Sequence, residues 1–95
     1  GVELIDASST YSLYRYGIYL DEVFENGVVV VNVVKDSTAS EIGLKRGDVI
    51  LKIDDVEVKE TGHFRFLLYK YKIGDTIELT IYRNKKIEKI KATLK

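Results

Sequence analysis

The 95-residue chain has no cysteine, proline, methionine or tryptophan, and its one histidine is His63. Without cysteine there is no disulfide, no thiolate metal site and no thiol nucleophile. A lone imidazole cannot assemble a zinc site, so no metal or other cofactor is expected. Without proline, the bends fall to glycine, asparagine and aspartate. Charge of one sign is missing too: fifteen basic residues cancel fifteen acidic ones. No net field therefore draws the chain to nucleic acid or to an anionic membrane. No apolar run approaches the roughly 18 residues that cross a bilayer, so direct membrane insertion is not expected, and no signal peptide is recognisable. A chain that starts at Gly1 and lacks methionine reads as a piece of a longer protein.

What is present suffices for one hydrophobic core and not for two domains. Val2, Leu4 and Ile5 can form a short strand, and Asp6–Thr10 reads as loop. From Tyr16 the side chains alternate, with Tyr16, Ile18 and Leu20 on one strand face. Asn26-Gly27 is a tight-turn pair that would join that strand to Val28–Val34, a β-branched run expected to be covered on both faces. Ser37–Ile42 reads as a short helix capped by Ser37 or Thr38 and released through Gly43. Asp48–Ile53 and Val56–Val58 are strands around an Asp54-Asp55 turn. A longer helix is expected from about Thr61 to Lys72, with Phe64, Leu67, Leu68 and Tyr71 on its core stripe and Phe66 nearly opposite. Thr76–Tyr82 alternates with Ile77, Leu79 and Ile81 inward. After a turn at Asn84-Lys85-Lys86, Ile90, Ala92 and Leu94 alternate in a last strand, whose wet face carries Lys85, Lys86, Lys89, Lys91 and Lys95.

The strongest local pattern is Lys35-Asp36-Ser37-Thr38-Ala39-Ser40-Glu41-Ile42-Gly43-Leu44-Lys45-Arg46-Gly47-Asp48-Val49-Ile50: strand, capped short helix, then Gly-Leu-x-x-Gly-Asp-x-Ile into a strand. It resembles the PDZ domains that follow the catalytic domain in bacterial and archaeal HtrA-like serine proteases and that occur in related membrane proteases. Thr38 stands where that family usually has proline, and Ile42 where it usually has a small alanine. The segment between Ile18 and Val28 is also shorter than in typical HtrA proteases. Lys52–Val58, Ile73–Ile77 and Thr80–Lys86 resemble the family's later strand–turn–strand, helix exit and hairpin. The resemblance covers residues 14–95 and leaves 1–13 as an N-terminal extension or first strand. It implies an α+β fold: a curled antiparallel β-sandwich or partly open barrel of five to six strands, capped by one short and one longer helix.

It also implies a function. Such domains hold a peptide as an added strand between a sheet edge and the longer helix. Its carboxylate sits in a loop of consecutive backbone amides that needs a glycine. The matching loop is expected at Arg15, Tyr16, Gly17 and Ile18, with Leu20 and Leu68 closing the side-chain pocket and Arg65 and Tyr69 reading residues upstream. Read without the resemblance, Gly17 fits an ordinary strand bulge better. No residue is aimed at catalysis, since serines 8, 9, 12, 37 and 40 with His63 form no nucleophile motif. The expected partners are C-terminal or extended peptides of substrate proteins and the protease domain of the parent chain. The resemblance implies an extracytoplasmic setting. The competing reading is an intramolecular regulatory or assembly domain with an occluded groove, which gains if Tyr11 or Leu13 packs into that groove. Phe66 marks a possible docking face.

Overall fold

The computed structural model describes residues 2–94. The elements run β1 (Val2–Asp6), α1 (Thr10–Arg15), β2 (Val28–Val33), α2 (Thr38–Glu41), β3 (Val49–Ile53), β4 (Val56–Glu57), α3 (Thr61–Tyr69), β5 (Thr76–Arg83) and β6 (Lys86–Thr93). The strands form one antiparallel sheet in the order β1-β2-β3-β5-β6, with β4 paired to β3. The sheet curls without closing, as the partly open barrel reading required. Among the described residues there are three helices where two were expected.

β2 explains the two-sided core. Its four valines, Val28 to Val31, are at most 2% exposed. Strand alternation sends Val28 and Val30 into a cluster with Ile50, Phe64, Leu67 and Ile81, on the side of α3. Val29 and Val31 point the other way, into a smaller cluster with Ala7, Leu13, Ile18 and Val49. On β1 the same alternation divides Val2 and Leu4, which pack on the α3 side, from Ile5, which packs on the α1 side. The lysines of the last strand, Lys86, Lys89 and Lys91, are exposed. Lys95 lies outside the described residues.

The main difference from the expected elements is in the first third of the chain. The strand expected at Tyr16–Leu20 does not form, and Thr10–Arg15 is helical instead. Gly17, at φ +76°, is the left-handed exit of that helix. The amide of Gly17 donates to the carbonyl of Tyr14 and that of Ile18 to Leu13. This bond pair, with Leu13 and Ile18 both buried, is a Schellman ending. The alternation after Tyr16 is real, since Ile18 is buried and Tyr19 exposed, but the free edge of β2 is already taken by β1. Asn26-Gly27 consequently closes no hairpin: the Gly27 carbonyl accepts from Ala7 and its amide donates to Lys59.

The capped short helix is as read. The Ser37 side chain accepts from the Ser40 amide, and Gly43 at φ +88° ends α2 with the same bond pair, Gly43 to Ser40 and Leu44 to Ala39. The longer helix stops at Tyr69, short of Lys72, and starts on Glu60, whose carboxylate accepts from the amides of Gly62 and His63.

Candidate binding groove

β1 is an edge strand: β2 occupies one of its sides, and across the other lies α3. A hydrogen bond at one end and an apolar pocket at the other define the space between them. At one end, Asp6 Oδ1 accepts the amide of Thr61, the first residue of α3, at 2.8 Å. At the other end, Val2 and Leu68 line one apolar pocket of about 210 Å³, together with Ile42, Leu44, Phe64 and Ile77 among others. Between clamp and pocket the outer backbone of β1 has no strand partner among the described residues. Unpaired strand edges of this kind accept another strand.

Helical spacing places the other α3 residues. Thr61 meets β1 and Leu68 meets the pocket, so Arg65, four residues after Thr61 and three before Leu68, lies on the same flank of the helix. It is exposed. Tyr69 is about 100° round from Leu68 and about 40° from Arg65; it is 91% exposed and lines no part of the pocket. Phe66, on the outer face as expected, is 61% exposed beneath the Lys70 ammonium, 4.8 Å from the ring centre.

The pocket's far wall belongs to α2 and the loop after it, and the Gly-Asp motif holds that wall. Asp48 is 2% exposed. Its carboxylate accepts the Lys45 amide at 2.8 Å, Arg83 Nε at 2.8 Å and Arg83 Nη2 at 2.5 Å. Arg83 Nη2 also donates to the Gly43 carbonyl at 2.7 Å, joining the end of α2 to β5. A buried carboxylate is tolerable only when so fully partnered. The hydrogen bonds to Asp48 raise the Arg83 pKa further, against its desolvation. A second clamp sits where α3 ends: the Tyr71 hydroxyl donates to Asp54 Oδ2 at 2.5 Å, and the Glu78 amide to Asp54 Oδ1 at 2.9 Å. The Tyr71 bond, then the Glu78 amide, hold the Asp54 carboxyl below the usual aspartate range.

The carboxylate loop expected at Arg15, Tyr16, Gly17 and Ile18 is corrected by these contacts. The amides of Tyr16, Gly17 and Ile18 donate to Leu13, Tyr14 and Leu13 carbonyls, so none is free for an anion. The segment lies with α1, packed on the side of the sheet opposite α3. Arg15 lines a surface hollow with Ile5, Ser12 and Tyr16. The Tyr16 hydroxyl donates to Glu3 Oε2 at 2.7 Å, which raises its pKa. Leu20 packs on the same far cluster and does not reach the groove. Of the expected groove residues, Leu68 lines the pocket, Arg65 flanks it and Tyr69 stands outside it. Asp6, Val2 and Thr61 were missed as site residues. Their signal was the alternation of Val2, Leu4 and Asp6, and a Gly-apolar pair at Gly1-Val2 that duplicates Gly17-Ile18. His63 is half-buried at the start of α3, where its Nδ1 accepts the Lys59 amide at 3.0 Å.

Comparison with known proteins agrees with this fold. The PDZ domain family model matches residues 1–94, and the chain belongs to the PDZ family. It is 32% identical to the serine protease Do-like HtrA of Lactobacillus helveticus, covering 99% of this chain and 23% of that protein. It is 35% identical to the Do-like HtrB of Bacillus subtilis, covering 99% of this chain and 21% of that protein. The chain thus spans less than a quarter of the length of these relatives. Among solved structures, the HtrA-type protease AlgW with decapeptide superposes with a TM-score of 0.72 at 26% identity, over 97% of this chain and 26% of that one. The HtrA3 PDZ domain bound to a phage-derived ligand, FGRWV, superposes at 0.75 and 13% identity, over 98% and 80%; that likeness is one of fold.

Proposed function

We propose that the chain is the peptide-reading module of a larger serine protease, taking up C-terminal or extended segments of protein substrates as an added strand on β1. The observation that carries this reading is the unpaired edge of β1 held beside α3, with an apolar pocket at its Val2 end. A peptide running antiparallel to β1, with its last side chain in the pocket, presents its carboxylate to the backbone at the start of β1. Apolar terminal residues fit, because among the described residues no charged side chain lines the pocket. Arg65 on the groove flank favours an acidic residue upstream in the ligand, while Tyr69 contributes at most a rim contact. The AlgW structure with decapeptide supports the reading. The protease domain of the parent chain and an extracytoplasmic setting belong to the same proposal and rest on the HtrA-type relatives. Among the described residues no helix is long and apolar enough to cross a membrane.

The occluded-groove alternative gains nothing from the two residues it named. Tyr11 is 73% exposed and Leu13 is buried in the far cluster, and neither lines the pocket.

Fluorescence anisotropy with labelled peptides ending in valine, leucine or phenylalanine, each with a free and an amidated C-terminus, tests the proposal. Micromolar binding is expected, about −8 kcal/mol, weakened by at least about tenfold on amidation. No binding by any of the six peptides defeats it.

A further inference from the structure

The side of the sheet opposite the groove is not a plain solvated surface. Tyr11, Tyr14, Tyr19 and Val23 are between 60% and 90% exposed there, and Tyr14 and Tyr19 pack edge to face at 5.6 Å. Two hollows adjoin at Val23. One, of about 450 Å³, lies against α1 and is lined by Leu13, Tyr14, Ile18, Tyr19 and Leu20. The other, of about 580 Å³, is floored by Phe24, Leu51 and Val58. Neither shares a residue with the pocket between β1 and α3.

The charge lining these two hollows is mainly negative, although Lys85 shares an adjoining hollow with Tyr19, Leu20 and Asp21. Asp21 and Glu22 line the first, and Glu25 and Glu57 line the second against a single cation, Lys52. From Tyr16 to Val34 the chain has three carboxylates and no lysine, arginine or histidine. The Tyr82 hydroxyl donates to Asp21 at 3.1 Å. The carboxylates of Glu22 and Asp21, with desolvation between them in weight, push its pKa up. Apolar hollows rimmed by one sign of charge mark interaction sites, and the sign selects the partner. Nucleic acid and anionic lipid would face carboxylates, and an uncharged apolar segment would leave them unmatched.

We propose that this face is a second docking surface, for a polypeptide segment in which large apolar side chains are flanked by lysine or arginine. The apolar side chains enter the hollows on either side of Val23, and the cations meet Asp21, Glu22, Glu25 and Glu57. Because the surface is separate from the groove, both can be occupied together.

The test uses the ¹⁵N-labelled chain and an acetylated, amidated peptide alternating lysine with leucine and phenylalanine, which has no free carboxylate for the groove. Saturable shifts are expected at Tyr14, Tyr19, Val23 and Phe24, falling by at least about tenfold in affinity when glutamate replaces the peptide's lysines. The charge reversal Glu22→Lys with Glu25→Lys should cause the same loss while a groove peptide binds that variant unchanged. That control separates failure of this surface from failure of the groove reading. Equal binding of lysine and glutamate peptides, shifts confined to β1 and α3, or no saturable shift overturns the proposal. Concentration-dependent shifts at the same residues without peptide also overturn it, because the occupant is then a second copy of the chain.

Discussion

Asp6 and Thr61 are 55 positions apart in the chain and joined at 2.8 Å, the aspartate carboxylate accepting the amide that opens α3. This bond does for the groove what a helix cap does for a helix: it satisfies an orphan donor and fixes where the helix begins relative to β1. Asp6→Ala should cost about 1–2 kcal/mol of stability, the usual worth of such a cap, and Asp6→Asn much less. Urea denaturation of the two variants checks the difference. Equal losses would mean the bond does not anchor the helix.

Leu68 is the side chain through which α3 meets the pocket. Leu68→Ala enlarges a cavity of about 210 Å³ and removes apolar surface that a ligand's last side chain would cover. Peptide affinity should fall by about tenfold or more, the equivalent of about 1.4 kcal/mol. Leu68→Phe should instead shift preference toward smaller terminal residues. Anisotropy titrations with peptides ending in alanine, valine and phenylalanine read both effects.

Asp48 and Arg83 form a buried pair, with side chains 2% and 19% exposed. Removing one partner strands a charge, so Asp48→Ala should destabilise the domain by about 3–5 kcal/mol. Replacing both, Asp48→Ala with Arg83→Met, should recover part of that loss. A double-mutant cycle in urea measures the coupling, and strict additivity would contradict it.

Asp54 gives the domain an acid-side pH dependence. Its folded pKa is depressed by Tyr71 and the Glu78 amide, so its contribution to stability is present above the unfolded value of about 3.9. That contribution is lost as pH falls through the lower folded value. Denaturation between about pH 2 and 6 should show stability falling at the acid end, with a shallower fall in Asp54→Asn.

Much of this was legible in the sequence, for identifiable reasons. The valine run of β2 could be covered only on both faces, and Ser37 and Gly43 punctuate α2 by local chemistry alone. The groove's helix followed from the period of Phe64, Leu67 and Leu68. Gly17 misled because two structures require a glycine at positive φ, an anion-binding loop and a Schellman helix end, and they share the pattern apolar-Gly-apolar. What decides between them is whether Leu13 anchors a helix before the glycine, a tertiary fact. The Asp48–Arg83 and Asp6–Thr61 contacts were invisible for a related reason: they join residues 35 and 55 positions apart, and a single sequence carries no pairing signal.

Gly17 therefore separates the two site assignments in a variant. With φ at +76°, Gly17→Ala should cost about 1 kcal/mol of stability through backbone strain. Peptide affinity should stay within about twofold, since the strained residue lies across the sheet from the groove.

Amide hydrogen exchange with and without saturating peptide tests the strand-addition account most directly. Binding should slow exchange of the outward amides within Val2–Asp6 and leave Tyr16–Leu20 unchanged. Protection at Tyr16–Leu20 with none on β1 would contradict it.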